Sequence, residues 1–351
     1  MRDGRARGGF SHGAVVLVGA VAMMFPGCVP EPLAPLFEPG DMRPPAIVSW
    51  GAEDERRVVV VFDEPLSEAL PVFGASPGPE VASVVVADDG LSVQVDLDGS
   101  QEPGASYALT GAVADGSGNR CDFLLPYWGY NPDPPLLVIN ELLTEGSSTH
   151  PDAVELYVAD GGQCAGLTFF VGVPSDWDVR YVFAPLRVEQ GDYIVLHLKP
   201  EGLEAEIDES VERTASGGRD ASAGAWDLWY RGGDGALSGK NGALSVCLTP
   251  NGPILDAVPY SERTVGSDTR YGGFGTASLR DRLSAIVAAG AWTASDPPVP
   301  EDCARSVGTT STRTICRSSG SVDTDSAADW HIVPTSGSTL GRANRDDVYA
   351  P

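Results

Sequence analysis

The sequence lacks most of the short motifs that identify common enzyme and metal-binding classes. It has no HExxH zinc-protease motif. Its six cysteines show no CxxC or Cys/His zinc spacing, and four of its 351 residues are histidine. These absences argue against a zinc protease and a structural zinc domain.

Basic residues are also scarce. The chain has 23 Lys and Arg against 49 Asp and Glu, which gives a formal net charge of -26 at pH 7. The negative electrostatic field of such a chain repels nucleic-acid phosphates and anionic lipid headgroups. We therefore expect no nucleic-acid partner.

Long helical patterns are few, whereas turn-forming residues are abundant, with 42 Gly and 28 Pro. This composition suits many short strands joined by tight turns. The length is enough for two or three domains at roughly 100–200 residues each. An all-β chain of more than one domain is the resulting expectation.

The first 27 residues have the pattern of an export signal. Positive charges precede an apolar run, AVVLVGAVAMM, at Ala14–Met24. A bilayer-spanning helix needs about 20 apolar residues, so this run suits the hydrophobic region of a signal peptide instead. We therefore predict export and removal of residues 1–27.

The apolar run ends in FPGC, whose last residue is Cys28. A small residue followed by cysteine resembles the lipobox of bacterial lipoproteins, which implies that Cys28 carries lipid and becomes the mature N-terminus. The proline-rich stretch at 28–44 suits an extended tether. An ordinary signal peptide with a chance cysteine is the alternative. The prediction is a lipoprotein on the exported side of the bacterial cell envelope, which contacts the membrane through its lipid anchor alone.

The other cysteines agree with an oxidising compartment. Cys303 and Cys316 are the closest pair, in a segment rich in Ser, Thr and Gly, and we predict a disulfide between them. Five cysteines cannot all pair with one another, so the pairing of Cys121, Cys164 and Cys247 stays open.

Residues 45–124 are predicted to form a first β-sandwich domain. RVVVVFDEPL at Arg57–Leu66 is rich in β-branched residues, and EVASVVVADDGLSVQVDL at Glu80–Leu97 has two strands joined by an Asp-Asp-Gly turn. With PGASYALTGAVADGSGN at Pro103–Asn119, these residues resemble the bacterial Ig-like domain of surface-layer and other exported proteins. The resemblance implies a passive spacer or adhesion module. Residues 125–135 are predicted to be a linker, because Pro and turn formers cluster there.

Two apolar segments that follow each carry an acid in the middle. LLVINELL at Leu136–Leu143 is apolar on both faces, and its alternation puts Glu141 on the same face as Ile139. AVELYV at Ala153–Val158 carries Glu155. A buried carboxylate is costly unless it is hydrogen-bonded. The two acids are therefore either a pair for acid–base hydrolysis or framework groups that tie strand to loop, and we predict the framework role.

These segments resemble the lamin-tail domain, an Ig-like β-sandwich also found in exported bacterial proteins. VINELL matches its opening strand and DAVELYV its second, and DTDSAADWHIVPTSGSTLGRAN matches its closing run. The resemblance covers residues 136–346 and implies insertions, for which Glu201–Ala225 and Val265–Ser319 are the candidates. The second insertion contains SLRDRLSAIVAAG, a predicted short helix that Ser278 would cap and Gly290 would end.

Ligand signals are weak. Asp323, Asp325 and Asp329 are candidate calcium ligands because hard cations bind several oxygens, but solvated turn carboxylates are the preferred interpretation. No other cofactor is predicted. The aromatic run at Trp226–Tyr230 is either a glycan platform or, as we expect, a set of half-buried strand residues.

The sequence thus predicts an all-β chain of two Ig-like β-sandwich domains in tandem, the second with insertions that include one short helix. The predicted function is non-enzymatic: a cell-envelope lipoprotein that acts in binding, adhesion or scaffolding, with envelope proteins or glycans as partners. The alternative is an accessory module of an extracellular hydrolase or nuclease system, because lamin-tail domains in bacteria accompany secreted hydrolases.

Overall fold

The structure, a computed structural model, describes residues 41–69 and 73–350. The predicted signal peptide, Cys28 and most of the predicted tether lie outside the described residues. Among the helices in the described ranges, none has the length and apolar character needed to cross a membrane.

Eight strands form the first module. They pair as two antiparallel sheets, in the orders β1-β2-β6-β5 and β3-β7-β4, with β8 paired to β7. The strands are β1 (Ile47–Asp54), β2 (Arg57–Phe62), β3 (Leu66–Ala69), β4 (Gly74–Ser76), β5 (Val81–Val86), β6 (Ser92–Leu97), β7 (Ser106–Asp115) and β8 (Arg120–Trp128).

Alternating side chains build the core of this module. Val58 and Val60 on β2 and Val95 on β6 are fully buried, and they pack with Leu109 and Tyr127 from the other sheet. Apolar residues at every second position put one face of each strand inside, which is the pattern of a β-sandwich.

The first module extends beyond its predicted end at residue 124. The alternation continues along β8, where Leu125 and Tyr127 are buried while Leu124 is exposed, and the strand pairs with β7 as far as Trp128. Part of the predicted linker is therefore strand.

Thirteen strands belong to the second module. A six-stranded sheet has the order β16-β15-β10-β9-β20-β21, a five-stranded sheet has the order β13-β12-β17-β18-β19, and β11 pairs with β14. The strands are β9 (Leu136–Leu143), β10 (Ala153–Asp160), β11 (Gly162–Gln163), β12 (Thr168–Val173), β13 (Asp176–Val182), β14 (Arg187–Val188), β15 (Tyr193–His197), β16 (Trp226–Trp229), β17 (Asn241–Cys247), β18 (Ile254–Ser261), β19 (Ala304–Arg305), β20 (Ile315–Arg317) and β21 (Trp330–Ile332).

The core of the second module lies between its two large sheets. Leu137 and Val154 from the six-stranded sheet pack in one cluster with Phe169 and Leu244 from the five-stranded sheet. The all-β, sandwich-like fold class predicted from the sequence is confirmed.

The predicted short helix is present as α1 (Ala277–Ala288). Its N-cap is Thr276, whose hydroxyl accepts a hydrogen bond from the backbone N–H three residues on at 3.2 Å. The predicted cap, Ser278, lies inside the helix and donates its hydroxyl to Asp176 instead. Gly290 follows the helix with a φ of 76°, a left-handed conformation that glycine adopts without strain. Three short 3₁₀ turns, at Val265–Ser267, Pro300–Asp302 and Ala327–Asp329, complete the helical structure of the described chain.

The two predicted insertions differ in structure. Glu201–Ala225 contains no strand, whereas Val265–Ser319 contains α1, β19 and β20. Strand β20 pairs with β9 inside the six-stranded sheet, so the end of this predicted insertion belongs to the framework.

Candidate functional site

Glu141 and Glu155 lie directly opposite each other on β9 and β10, and both side chains are fully buried. The pairing is irregular here because one extra residue, Asn140, is inserted between Ile139 and Glu141 relative to the partner strand. This bulge moves Glu141 off the face that Ile139 presents to the main core, contrary to the predicted alternation. Both acids instead face a loop near the C-terminus.

The Glu141 carboxylate accepts hydrogen bonds from three donors. The Thr314 hydroxyl donates at 2.5 Å, and Thr339 donates both its hydroxyl at 2.7 Å and its backbone N–H at 3.0 Å. Asn344 extends the network, because its Oδ1 lies 3.1 Å from the Thr339 hydroxyl oxygen and its side-chain amide donates to the Asn140 carbonyl. Glu141 therefore ties its strand to the loop at residues 338–344, here called the closing loop.

Glu155 is held by N–H groups rather than by hydroxyls among the described residues. It accepts from the Asn140 side-chain amide at 2.8 Å and from the Gly341 backbone N–H at 2.5 Å. Burial, and then the charge of Glu141, raise the pKa of Glu155 well above its usual value. The two acids thus form a coupled pair that is sealed under the closing loop. A pair flanking a substrate bond would need an opening that this arrangement does not provide.

Arg317 on β20 is a fully buried cation. Its guanidinium donates to the Ile139 carbonyl at 2.8 Å, and it pairs with Asp323 at 2.9 Å and Asp329 at 3.1 Å. The guanidinium also lies 4.6 Å from the centre of the Trp330 ring. Two of the three acids proposed as calcium ligands therefore already contact a built-in positive charge.

The third proposed ligand, Asp325, lies near Asp323 and the buried Asp256 rather than in one group with Asp329. Asp256 approaches the Arg317 guanidinium at 3.8 Å, which is too long for a hydrogen bond, and one of its oxygens has no hydrogen-bond partner within the described chain. Burial raises the pKa of Asp256 to about 7. Calcium binding at these residues, the alternative to the preferred turn-carboxylate interpretation, is not tested by this regrouping.

The predicted disulfide between Cys303 and Cys316 is absent from the structure, where both are free thiols. Cys303 lies next to β19 in the five-stranded sheet, whereas Cys316 is the middle residue of β20 in the six-stranded sheet. The prediction was wrong because it treated this segment as an unstructured loop. Burial orders both ends without a cross-link.

Cys316 has a histidine neighbour, with its Sγ 3.6 Å from His331 Nε2. Thiol and imidazole are the parts of a nucleophilic pair, but the thiolate is the reactive form. Burial, followed by the charges of Glu141 and Glu155, raises the pKa of the Cys316 thiol. This environment favours an inert thiol.

A second histidine contact opens onto a small cavity. His150 Nδ1 lies 3.0 Å from Asp220 Oδ1, and the two residues line a cavity of about 380 Å³ with several hydroxyl groups, among them Ser311 and Ser336. Asp220 and Ser336 have φ angles of 58° and 61°, which are uncommon for residues other than glycine. A carboxylate-oriented imidazole beside hydroxyls is the arrangement from which hydrolytic sites are built.

The aromatic run at Trp226–Tyr230 does not form an exposed platform. Trp226 and Trp229 are buried, and Trp229 stacks on the buried His197 ring with centres 3.9 Å apart. His197 Nε2 in turn contacts Asp227 at 2.7 Å. The two tryptophans are therefore strand residues, and they are buried rather than half-buried.

Sequence reasoning missed Arg317, Asp256 and the His150–Asp220 contact. Arg317 and Asp256 carry the signal that identified Glu141, a charge inside an apolar strand-like segment, in TICR and PILDAV. No local signal joins His150 to Asp220, because they are 70 residues apart in the chain.

Residues 135–332 match the sequence profile of the TP_1001 protein second-domain family, a span of more than half of the chain. The chain belongs to this family. A curated relative of this chain is an uncharacterized protein of Treponema pallidum (strain Nichols), 31% identical over 158 residues. The match spans 45% of this chain and 39% of the relative, well under two thirds of the relative's length.

Some solved structures are distantly similar. The N-terminal part of the bacterial S-layer protein SbsC has 20% identity and a TM-score of 0.25, over 36% of this chain and 34% of that chain. L,D-transpeptidase 3 from Mycobacterium tuberculosis has 15% identity and a TM-score of 0.17, over 43% of this chain and 81% of that chain. Both TM-scores are too low to bear on function.

Proposed function

We propose that this protein is a non-enzymatic component of the bacterial cell envelope, anchored by lipid at Cys28 and acting in binding, adhesion or scaffolding through its β modules. The first module resembles a bacterial Ig-like domain, and the second resembles a lamin-tail domain. The observation that carries the proposal is the burial of Glu141 and Glu155 under the closing loop. The acids that best fitted a hydrolytic pair are each used to hold strand and loop together.

The predicted anchor supplies the first test. The full chain is expressed in a bacterium with an N-terminally intact signal, and membranes are separated from the soluble extract. Wild type should partition with membranes and incorporate a lipid label, whereas Cys28→Ala should be soluble and unlabelled. Cys121→Ala, a change at a cysteine outside the lipobox, is the matched control and should behave as wild type. Equal partitioning of Cys28→Ala and wild type would contradict the anchor.

A second candidate function rests on the His150–Asp220 contact. The hydroxyl-lined cavity beside it favours hydrolysis, either by this chain or with a catalytic partner that it accompanies. A fluorophosphonate probe labels activated serines. Labelling of the wild-type protein that His150→Ala abolishes, and that His331→Ala leaves intact, would replace the non-enzymatic proposal. Absence of labelling would rule out an activated serine at this cavity.

A further inference from the structure

A cleft of about 320 Å³ lies between the two β modules. One wall carries three aromatic side chains, Trp50 on β1, Trp128 at the end of β8 and the following Tyr130. The opposite wall is the turn between β17 and β18, at residues 248–253. The volume falls within the range of small-molecule sites, which often form where domains meet.

Hydrogen bonds hold both walls in place. Trp50 Nε1 donates to the Pro126 carbonyl at 2.6 Å, which orients the indole. The buried Asn131 side chain donates to the Gln163 and Ala165 carbonyls at 2.6 and 3.1 Å, and so joins the segment after β8 to the second module. A cleft with fixed walls loses little conformational entropy when a ligand binds.

The chemistry of the lining selects the kind of ligand. No charged side chain is among the described residues that line the cleft, although the chain carries a net charge of -26. Neither the Tyr130 hydroxyl nor the Asn251 Nδ2 has a hydrogen-bond partner in the described part of the chain. The Asn251 side-chain oxygen accepts from the Thr249 hydroxyl, which leaves the amide nitrogen available to a ligand. The cleft therefore offers flat apolar rings beside neutral, unused polar groups.

We propose that this inter-module cleft binds a neutral saccharide, a ligand class that would deepen the proposed envelope-binding function and rests on it. A sugar ring has an apolar C–H face that stacks on indole and phenol rings, and a rim of hydroxyls that needs neutral donors and acceptors. The Trp50 and Trp128 rings would stack on the sugar face, and the Tyr130 hydroxyl and the Asn251 amide would hydrogen-bond to the sugar hydroxyls. A proline-rich peptide also packs on aromatic rings, so it is the occupant that the test must exclude.

The test uses the purified full chain and four neutral trisaccharides: chitotriose, cellotriose, maltotriose and mannotriose. Tryptophan fluorescence and calorimetric titration should show saturable binding of at least one of them. Trp128→Ala should weaken that binding by about tenfold or more, because truncating an aromatic anchor in a pocket removes its contact area. Asn251→Ala should weaken binding several-fold while leaving thermal unfolding unchanged, since Asn251 is exposed.

Trp177→Ala is the matched control, because Trp177 is a 42% exposed tryptophan on β13 that does not line the cleft. It should bind as wild type does. If no trisaccharide binds saturably, if Asn251→Ala and Trp128→Ala both bind as wild type, or if a proline-rich decapeptide binds and the sugars do not, the proposal is overturned. Those results would leave membrane anchoring through Cys28 untouched, so failure of the cleft and failure of the envelope assignment can be told apart.

Discussion

Two neighbouring acids, Glu141 and Glu155, have different surroundings although they face each other across one strand pair. Glu141 is supplied with backbone and hydroxyl donors from Thr314 and Thr339. Glu155 has a raised pKa, because burial and the nearby charge both disfavour its ionised form. The same change in the two acids should therefore have different effects.

Glu141→Gln should lower the free energy of unfolding by about 1–3 kcal/mol, because the new amide group faces N–H and O–H donors that lose their acceptor. Glu155→Gln at pH 8 should stay within about 1 kcal/mol of wild type. It removes the repulsion between the two acids. A flip of the Asn140 amide, whose Nδ2 now faces Glu155, would let the new amide donate to the Asn140 oxygen, which has no hydrogen-bond partner within the described chain. Urea unfolding of both variants measures the difference. Equal losses would contradict this account.

Asp256 should make stability depend on pH. Its folded pKa of about 7 is raised above the unfolded value of about 3.9. A raised acid pKa contributes stability that is complete below about pH 4 and is lost as the pH rises to about 7. The loss should reach up to about 4 kcal/mol, the equivalent of a three-unit difference.

Asp256→Asn should flatten this decline between pH 4 and 7, because the amide stays neutral and can still accept from the Ile139 backbone N–H. Denaturant unfolding at several pH values measures the slope. Asp347→Asn, at a side chain with 72% exposure, is the control and should keep the wild-type slope. An unchanged slope in Asp256→Asn would show that another group controls the decline. Some slope should persist in Asp256→Asn, since the raised pKa of Glu155 acts in the same direction.

At the scale of elements, β20 holds the two ends of the second module together. It pairs with β9 and β21, and Arg317 at its end joins the β9 carbonyl of Ile139 to the turn that carries Asp323 and Asp329. The strand is three residues long, so its backbone pairing alone is limited. The buried cation is a large part of what fixes this turn.

Arg317→Met should lower the free energy of unfolding by about 3–5 kcal/mol, because it leaves buried carboxylates without their counter-charge. Arg345→Met, at a side chain with 50% exposure and a 3.9 Å contact to Asp347, should change it by less than about 0.5 kcal/mol. Chemical denaturation provides both values. A loss in Arg317→Met no larger than that in Arg345→Met would show that the acids are not charged or not buried in solution.

The sequence was a good guide to element type and a poorer guide to irregularities. Content of β-branched residues identified β2, a turn signal between two strand-like runs identified β5 and β6, and helical spacing identified α1. The bulge at Asn140 could not be predicted, because an extra residue is tolerated or not according to the partner strand and the loop that covers it. The predicted N-cap at Ser278 was wrong for a similar reason, because a tertiary contact decides what this side chain does. Its hydroxyl donates to Asp176 on β13.

At the scale of the whole molecule, the described cysteines are free, and most are buried rather than joined in the disulfide that was predicted. Four of the five described cysteines are buried, and Cys121 is partly exposed. Burial raises the pKa of Cys164, Cys247 and Cys303 to about 12 each, so these thiols are protonated at neutral pH. A protonated, enclosed thiol is a poor nucleophile.

In native protein, an alkylating reagent should therefore modify Cys121 first, and the four buried thiols after denaturation. Peptide mapping without reduction should recover Cys303 and Cys316 in separate fragments. Mass spectrometry of native and urea-unfolded samples measures both outcomes, with the unfolded sample as the control for complete reaction. A linked Cys303–Cys316 fragment from freshly exported protein would contradict the structure.

By itself, the sequence determined the all-β class, the strand segments and the fact that charges lie inside apolar strands. These properties follow from local patterns, because side-chain alternation decides which face of a strand is buried. Tertiary structure decided which partners meet those charges. Glu141 receives its backbone donor from a residue 198 positions away, and Arg317 donates to a carbonyl 178 positions away. Such pairings are set by the order in which strands join the sheets and by the loop that closes over them, and a buried charge is stable only where that topology brings a partner to it.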